Sequence, residues 1–87
     1  MSLKQRALDL GATDFGPSVA KNKRFYVIYD GKRINFGLLG AKTFIDHQDT
    51  AKRMAWRARH GRIKLKDGRF AYTVRQQPEW WSWHLLW

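Results

Sequence analysis

The apolar positions of the chain change period several times, and each change marks an element. Leu3, Ala7, Leu8 and Leu10 form a helical stripe. Ser2-Leu3-Lys4-Gln5 ahead of it reads as a capping box, in which Ser2 accepts from the third amide and Gln5 reaches back. Gly11 is a suitable stop. The pattern predicts one short helix and then a connecting arm, Ala12 to Asn22, which carries Gly16-Pro17-Ser18 and is ordered only by lying on something else. From Phe25 the period becomes two. Phe25–Tyr29 and Lys32–Phe36 read as paired strands, because Asp30-Gly31 between them supplies the positive φ that a type I′ turn needs at both central residues.

The clearest helix runs from Asp49, a natural N-cap, to His60, with Gly61 as its stop. Ala51, Met54, Ala55 and Ala58 recur at helical spacing and predict a thin stripe of small residues facing the core. Lys52, Arg53, Trp56, Arg57, Arg59 and His60 occupy the rest of the circumference. Arg62 to Arg75 alternates again about Asp67-Gly68 and predicts a second hairpin, with Ile63 and Leu65 alternating before the turn and Phe70, Tyr72 and Val74 after it. Pro78 is a favoured first helical residue, so Glu79 to Trp87 is expected as a short terminal helix or an extended plug. The expected architecture is a small single α+β domain with antiparallel β-hairpins packed on a short basic helix. An N-terminal helix and arm take residues 1–22, and the domain proper, with its Trp-rich C-terminus, takes residues 23–87.

Composition narrows the function. A chain of 87 residues buries only about 60% of its exposable surface on folding, which argues against a deep enzyme pocket. Lys and Arg number 17 against 7 Asp and Glu, a formal charge of +10, and there are five Trp. The absence of cysteine excludes a disulfide scaffold, a thiol nucleophile and any thiolate metal site. Lys4, Arg6 and Asp9 interrupt the N-terminus, so no signal peptide is expected, and no run approaches the roughly 20 apolar residues of a membrane span. A basic, aromatic-rich module that meets a large anionic partner or packs into an assembly is the class this favours.

From about Phe15 to Leu86 the chain resembles an uncharacterised family of small basic proteins of large double-stranded DNA viruses and some phages. The likeness is carried by Phe15-Gly16-Pro17-Ser18, Lys23-Arg24-Phe25-Tyr26-Val27, Gly31-Lys32 and Ile34-Asn35-Phe36-Gly37. It continues through His47, Asp49, Arg53, Ala58-Arg59-His60 and the closing Trp83-His84-Leu85-Leu86-Trp87. Between Arg62 and Gln77 the chain departs from it, with an alternating segment where relatives tend to have a Trp-rich, Pro-containing loop. The resemblance implies a viral source, and with it virion structure or association with nucleic acid.

Two constellations are candidates for binding. Lys52, Arg53, Arg57, Arg59 and His60 are placed to neutralise several phosphates, with a solvated face as the alternative. No helix-turn-helix, zinc-finger or RNA-recognition signature accompanies them, so such binding is expected to ignore base sequence. Trp56 within that arc reads equally as a stacking platform, an interface anchor or core. Trp80, Trp81, Trp83 and Trp87 exceed what one small core takes in. At least one closes the core, and the surplus predicts a partner surface made of Trp56, Trp81, Trp83, Leu85, Leu86 and Trp87. Another protein is favoured over a membrane interface, because the cluster is short.

Catalytic and metal chemistry find no support. His47, His60 and His84 match no zinc spacing, and Asp46 and Asp49 read as loop and cap. Asp30 and Asp67 are used in turns, no acid–base pair assembles, and Gly37-Leu38-Leu39-Gly40 lacks the Lys of a phosphate loop. No enzyme, small-molecule substrate, metal or cofactor is therefore expected. The expected function is that of a virion structural protein, a minor capsid or cement component bridging larger shell proteins, chiefly the major capsid protein. It would reside in the virion, and in host cytoplasm during assembly. The alternative is a protein that binds viral DNA or RNA without sequence preference.

Overall fold

The computed structural model describes residues 2–87; Met1, the first residue of the expected segment of helix and arm, lies outside them. The chain is α+β, as the sequence pattern predicts, with one three-stranded antiparallel sheet and four α-helices among the described residues. It divides into two units, Met1–Ala41 and Lys42–Trp87.

In the first unit, helix α1 (Leu3–Asp9) begins where Ser2 accepts from the Gln5 amide at 3.1 Å. Only half of the expected capping box forms. The Gln5 side chain donates forward to Asp9 at 3.0 Å, one helical turn on, instead of reaching back. The helix ends in a Schellman motif: Gly11 adopts φ +106°, its amide donates to Leu8 and the Ala12 amide donates to Ala7.

Part of the expected arm is a strand. β1 (Asp14–Pro17) pairs with β2 (Lys23–Tyr29), which pairs with β3 (Lys32–Leu38), in the order β1-β2-β3. Pro17 is tolerated because β1 is an edge strand, where a missing amide need not break a ladder. Phe15 supplies the reason to pair, lying 5.2 Å from Phe25 and 6.5 Å from Phe36 between ring centroids. Gly16 is required beside it, because a Cβ there would meet the Tyr26 ring at 2.9 Å. That ring is held by its hydroxyl, which donates to Asp14 at 2.9 Å, and Arg33 lies 4.0 Å over its face.

The Asp30-Gly31 turn is as expected, with φ of +52° and +73°. It sets the register Phe25 opposite Phe36 and Val27 opposite Ile34. One face thus collects Phe15, Phe25, Val27, Ile34 and Phe36, with Val27 and Phe36 fully buried.

The second unit holds α2 (Phe44–His47), α3 (Thr50–His60) and α4 (Pro78–Trp81), with a π-helical turn over Ser82–Leu86. Asp49 caps α3 by accepting from the Lys52 amide at 3.2 Å. Gly61 ends the helix without positive φ. It sits at −65°, and glycine is needed there because a Cβ would lie 2.8 Å from the Arg57 carbonyl oxygen.

The expected second hairpin does not develop into a ladder. Lys64 and Phe70 form a single antiparallel bridge, after which Ala71–Thr73 turns into a short 3₁₀ helix. The two Asp-Gly pairs differ in backbone. At Asp67-Gly68 only the glycine takes positive φ, so the turn lacks the type I′ twist that aligns long strands. The alternating face is not covered as a whole: Ile63 and Phe70 are exposed, Val74 is buried, and Ala71 of the opposite face is buried with it.

Candidate polyanion-binding site

Helix α3 buries the face opposite to the one its small residues predict. Ala51, Met54, Ala55 and Ala58 are exposed, Met54 at 70%, whereas Trp56 is only 9% exposed. The reason is size. A tryptophan buries on the order of 150–250 Å², far more than an alanine, so it decides which way the helix turns. Trp56 lies between His60, at 4.0 Å and 13° between ring planes, and Trp87, at 4.9 Å and 11°.

This rotation breaks up the predicted basic face. Arg53 turns inward over the Phe44 ring at 4.7 Å, and Arg57 over the Trp83 ring at 5.0 Å. Burial pulls the Arg57 pKa down, followed by repulsion from Arg53, yet a guanidinium keeps its charge. His60 Nδ1 lies 2.7 Å from Glu79 Oε1 and donates that bond when Glu79 is ionised. Lys52 and Arg59, flanking Ala55 on the outer side, stay exposed.

Those two cations line a cleft of about 430 Å³ together with Lys42, His47, Ala55 and Trp87. Lys42 precedes α2 and His47 ends it, so one short helical turn carries both to the side of α3. That turn is pinned by Asp46, which accepts from the Thr43 amide at 2.8 Å and the Thr43 hydroxyl at 3.1 Å. The Asp49 amide donates to His47 Nδ1 at 3.0 Å. With Nδ1 an acceptor, the neutral ring carries its proton on Nε2. Nε2 is shut off from solvent and has no hydrogen-bond partner among the described residues. Among the described residues lining the cleft, none carries a carboxylate side chain.

Lys42 and His47 are additions to the predicted basic set. The signal for them was present in Thr43-Phe44-Ile45-Asp46, which fits a capping box and starts a helix between Lys42 and His47. The predicted partner surface, by contrast, is mostly core. Trp81, Leu85 and Leu86 are at most 1% exposed, and the Trp81 indole donates to the Arg75 carbonyl at 2.8 Å. Trp83 is half-buried and stacks on Tyr72 at 4.2 Å, and Trp87 is half-buried at the cleft. A Trp-rich segment is absorbed here because Trp80, Trp81, Leu85 and Leu86 interleave on one continuous turn.

Glu79 gives the unit a pH dependence. Burial raises its pKa above the ordinary 4.5, and the charge and hydrogen bond of His60 only partly oppose that. The folded state therefore holds this proton more tightly than the unfolded chain. Above about pH 4.5 the unfolded chain releases it first, so this contribution to stability falls as pH rises toward neutrality. Glu79→Gln keeps an acceptor for His60 and removes the titration. Urea denaturation from pH 4.5 upward should show the wild type losing stability relative to the variant; parallel curves would mean that burial does not govern Glu79.

Among the described residues, no group of His, Asp and Glu could hold a metal ion, and no helix is long and apolar enough to cross a membrane. No curated protein and no solved structure matches the chain. Residues 13–60 match the model of a family of unknown function (DUF5754), a stretch that includes Lys42, His47, Lys52, Ala55 and Arg59 of the cleft but not Trp87. With 48 of its 87 residues inside that match, the chain belongs to this family of unknown function.

Proposed function

We propose that the protein binds nucleic acid without sequence preference, as a protein of a viral genome. The cleft carries this reading, because Lys42, Lys52 and Arg59 meet there with no opposing carboxylate side chain among the described lining residues. The net charge of +10 supports it from a distance, by drawing in any polyanion. Burial of Trp81, Leu85 and Leu86 weakens the competing idea of a C-terminal anchor for another chain. A shell component that contacts the major capsid protein in the virion is the second reading. Val19, Leu38 and Leu39 favour it, being exposed at 94%, 61% and 65% in the first unit.

The test is fluorescence anisotropy on unrelated DNA sequences over a range of salt. Affinity should be similar for all of them. Its logarithm should fall with that of salt concentration with a slope of about −2 to −3, as expected for roughly three neutralised phosphates. Lys52→Gln and Arg59→Gln should each flatten the slope by about one. No binding at low salt would overturn the reading, and recovery of the protein with nuclease-treated particles would then favour the second.

A further inference from the structure

We infer that the cleft of the second unit holds a single nucleotide of an unpaired strand, the phosphate among the cations and the base or sugar against Trp87. The inference deepens the nucleic-acid reading and rests on it for the polymer, though the site can be tested without one. Its volume, about 430 Å³, is far more than a bare phosphate needs and falls within the range of small-ligand pockets.

The lining is divided in the way a nucleotide requires. Lys42, Lys52 and Arg59 supply positive charge, and the His47 ring lines the same space. Their ammonium and guanidinium donors suit a phosphate oxygen, which accepts strongly without the need for a proton. Trp87 supplies an apolar ring. Its position is fixed from behind by the 11° stack on Trp56 and from the side by His47, 5.5 Å away. A ring so held costs little further order when a base settles on it. Bases within a duplex have their faces covered by their neighbours, so only an unstacked base can use such a ring. The geometry therefore points to single strands over duplexes.

The experiment follows the His47 Nε2 resonance by NMR, with ¹⁵N-labelled histidine, during separate titrations. The probes are inorganic phosphate, thymidine 5′-monophosphate, a short oligothymidylate, a duplex of the same length and polyglutamate. Thymidine monophosphate and the oligothymidylate should shift the resonance. The oligothymidylate should bind roughly tenfold or more tightly than the duplex, the size of a stacking contact. Lys42→Gln and Arg59→Gln, both at exposed positions and harmless to packing, should each weaken the oligothymidylate severalfold. Trp87→Leu should remove the preference over the duplex.

Oligothymidylate binding that leaves His47 and both cation variants unaffected would overturn the cleft assignment while nucleic-acid binding stood. A His47 response to the mononucleotide without binding of any polymer would uphold the cleft and overturn the nucleic-acid reading. Equal responses to phosphate and to the mononucleotide would remove the base contact and with it the nucleotide assignment. A response to polyglutamate matching that to oligothymidylate would overturn it as well.

Discussion

Trp81→Ala should destabilise the second unit by about 3–5 kcal/mol, read as a shift of its urea midpoint. The indole is fully buried, its N–H donates to the Arg75 carbonyl at 2.8 Å, and Trp80 packs against it at 4.8 Å. Removal leaves a cavity and takes a donor from a carbonyl, two penalties that add. Small domains have only about 5–15 kcal/mol in total, so the loss is a large fraction of the unit's stability. The variant also discriminates between the roles given to the C-terminus. An anchor for another chain would tolerate the change in isolation and fail only in assembly. A loss below about 0.5 kcal/mol, the level of an ordinary surface substitution, would return Trp81 to the surface.

Trp56→Ala and Met54→Ala should differ sharply although the two residues are neighbours on α3. Trp56 is buried between His60 and Trp87, and its truncation should cost about 3–5 kcal/mol. Met54 is 70% exposed, so its replacement should stay within about 0.5 kcal/mol. Thermal or urea denaturation of the two variants reads the orientation of the helix directly. Equal losses, or a larger loss at Met54, would mean that the stripe of small residues faces inward after all. The same orientation governs binding. With Trp56 inward, Arg53 and Arg57 are spent on ring faces, and the free charge is concentrated at Lys52 and Arg59. Neutralising the inner pair should therefore cost stability before it costs affinity.

The sequence by itself determined those features that depend on neighbours along the chain. Asp30-Gly31 specifies its turn because both positions need positive φ and the flanking residues alternate. Ser2 and Asp49 specify helix starts because a side-chain oxygen and an amide three residues on are all that a cap requires. The α+β class follows from these local signals. Tertiary structure decided the rest, and each case is a competition that no short window contains. Whether residues 14–17 form a strand depended on Phe15 finding Phe25 and Phe36, with Gly16 leaving room for the Tyr26 ring. Whether the segment around Asp67-Gly68 became a ladder depended on a covering surface that Ile63 and Phe70 do not find. Periodicity announces that the faces of α3 differ, but the stacking of Trp56 on His60 and Trp87 selects the face. The cleft is the consequence: Lys42, His47, Lys52, Arg59 and Trp87 are spread over 46 positions, and only the packing of α2, α3 and the C-terminal turn gathers them around one space.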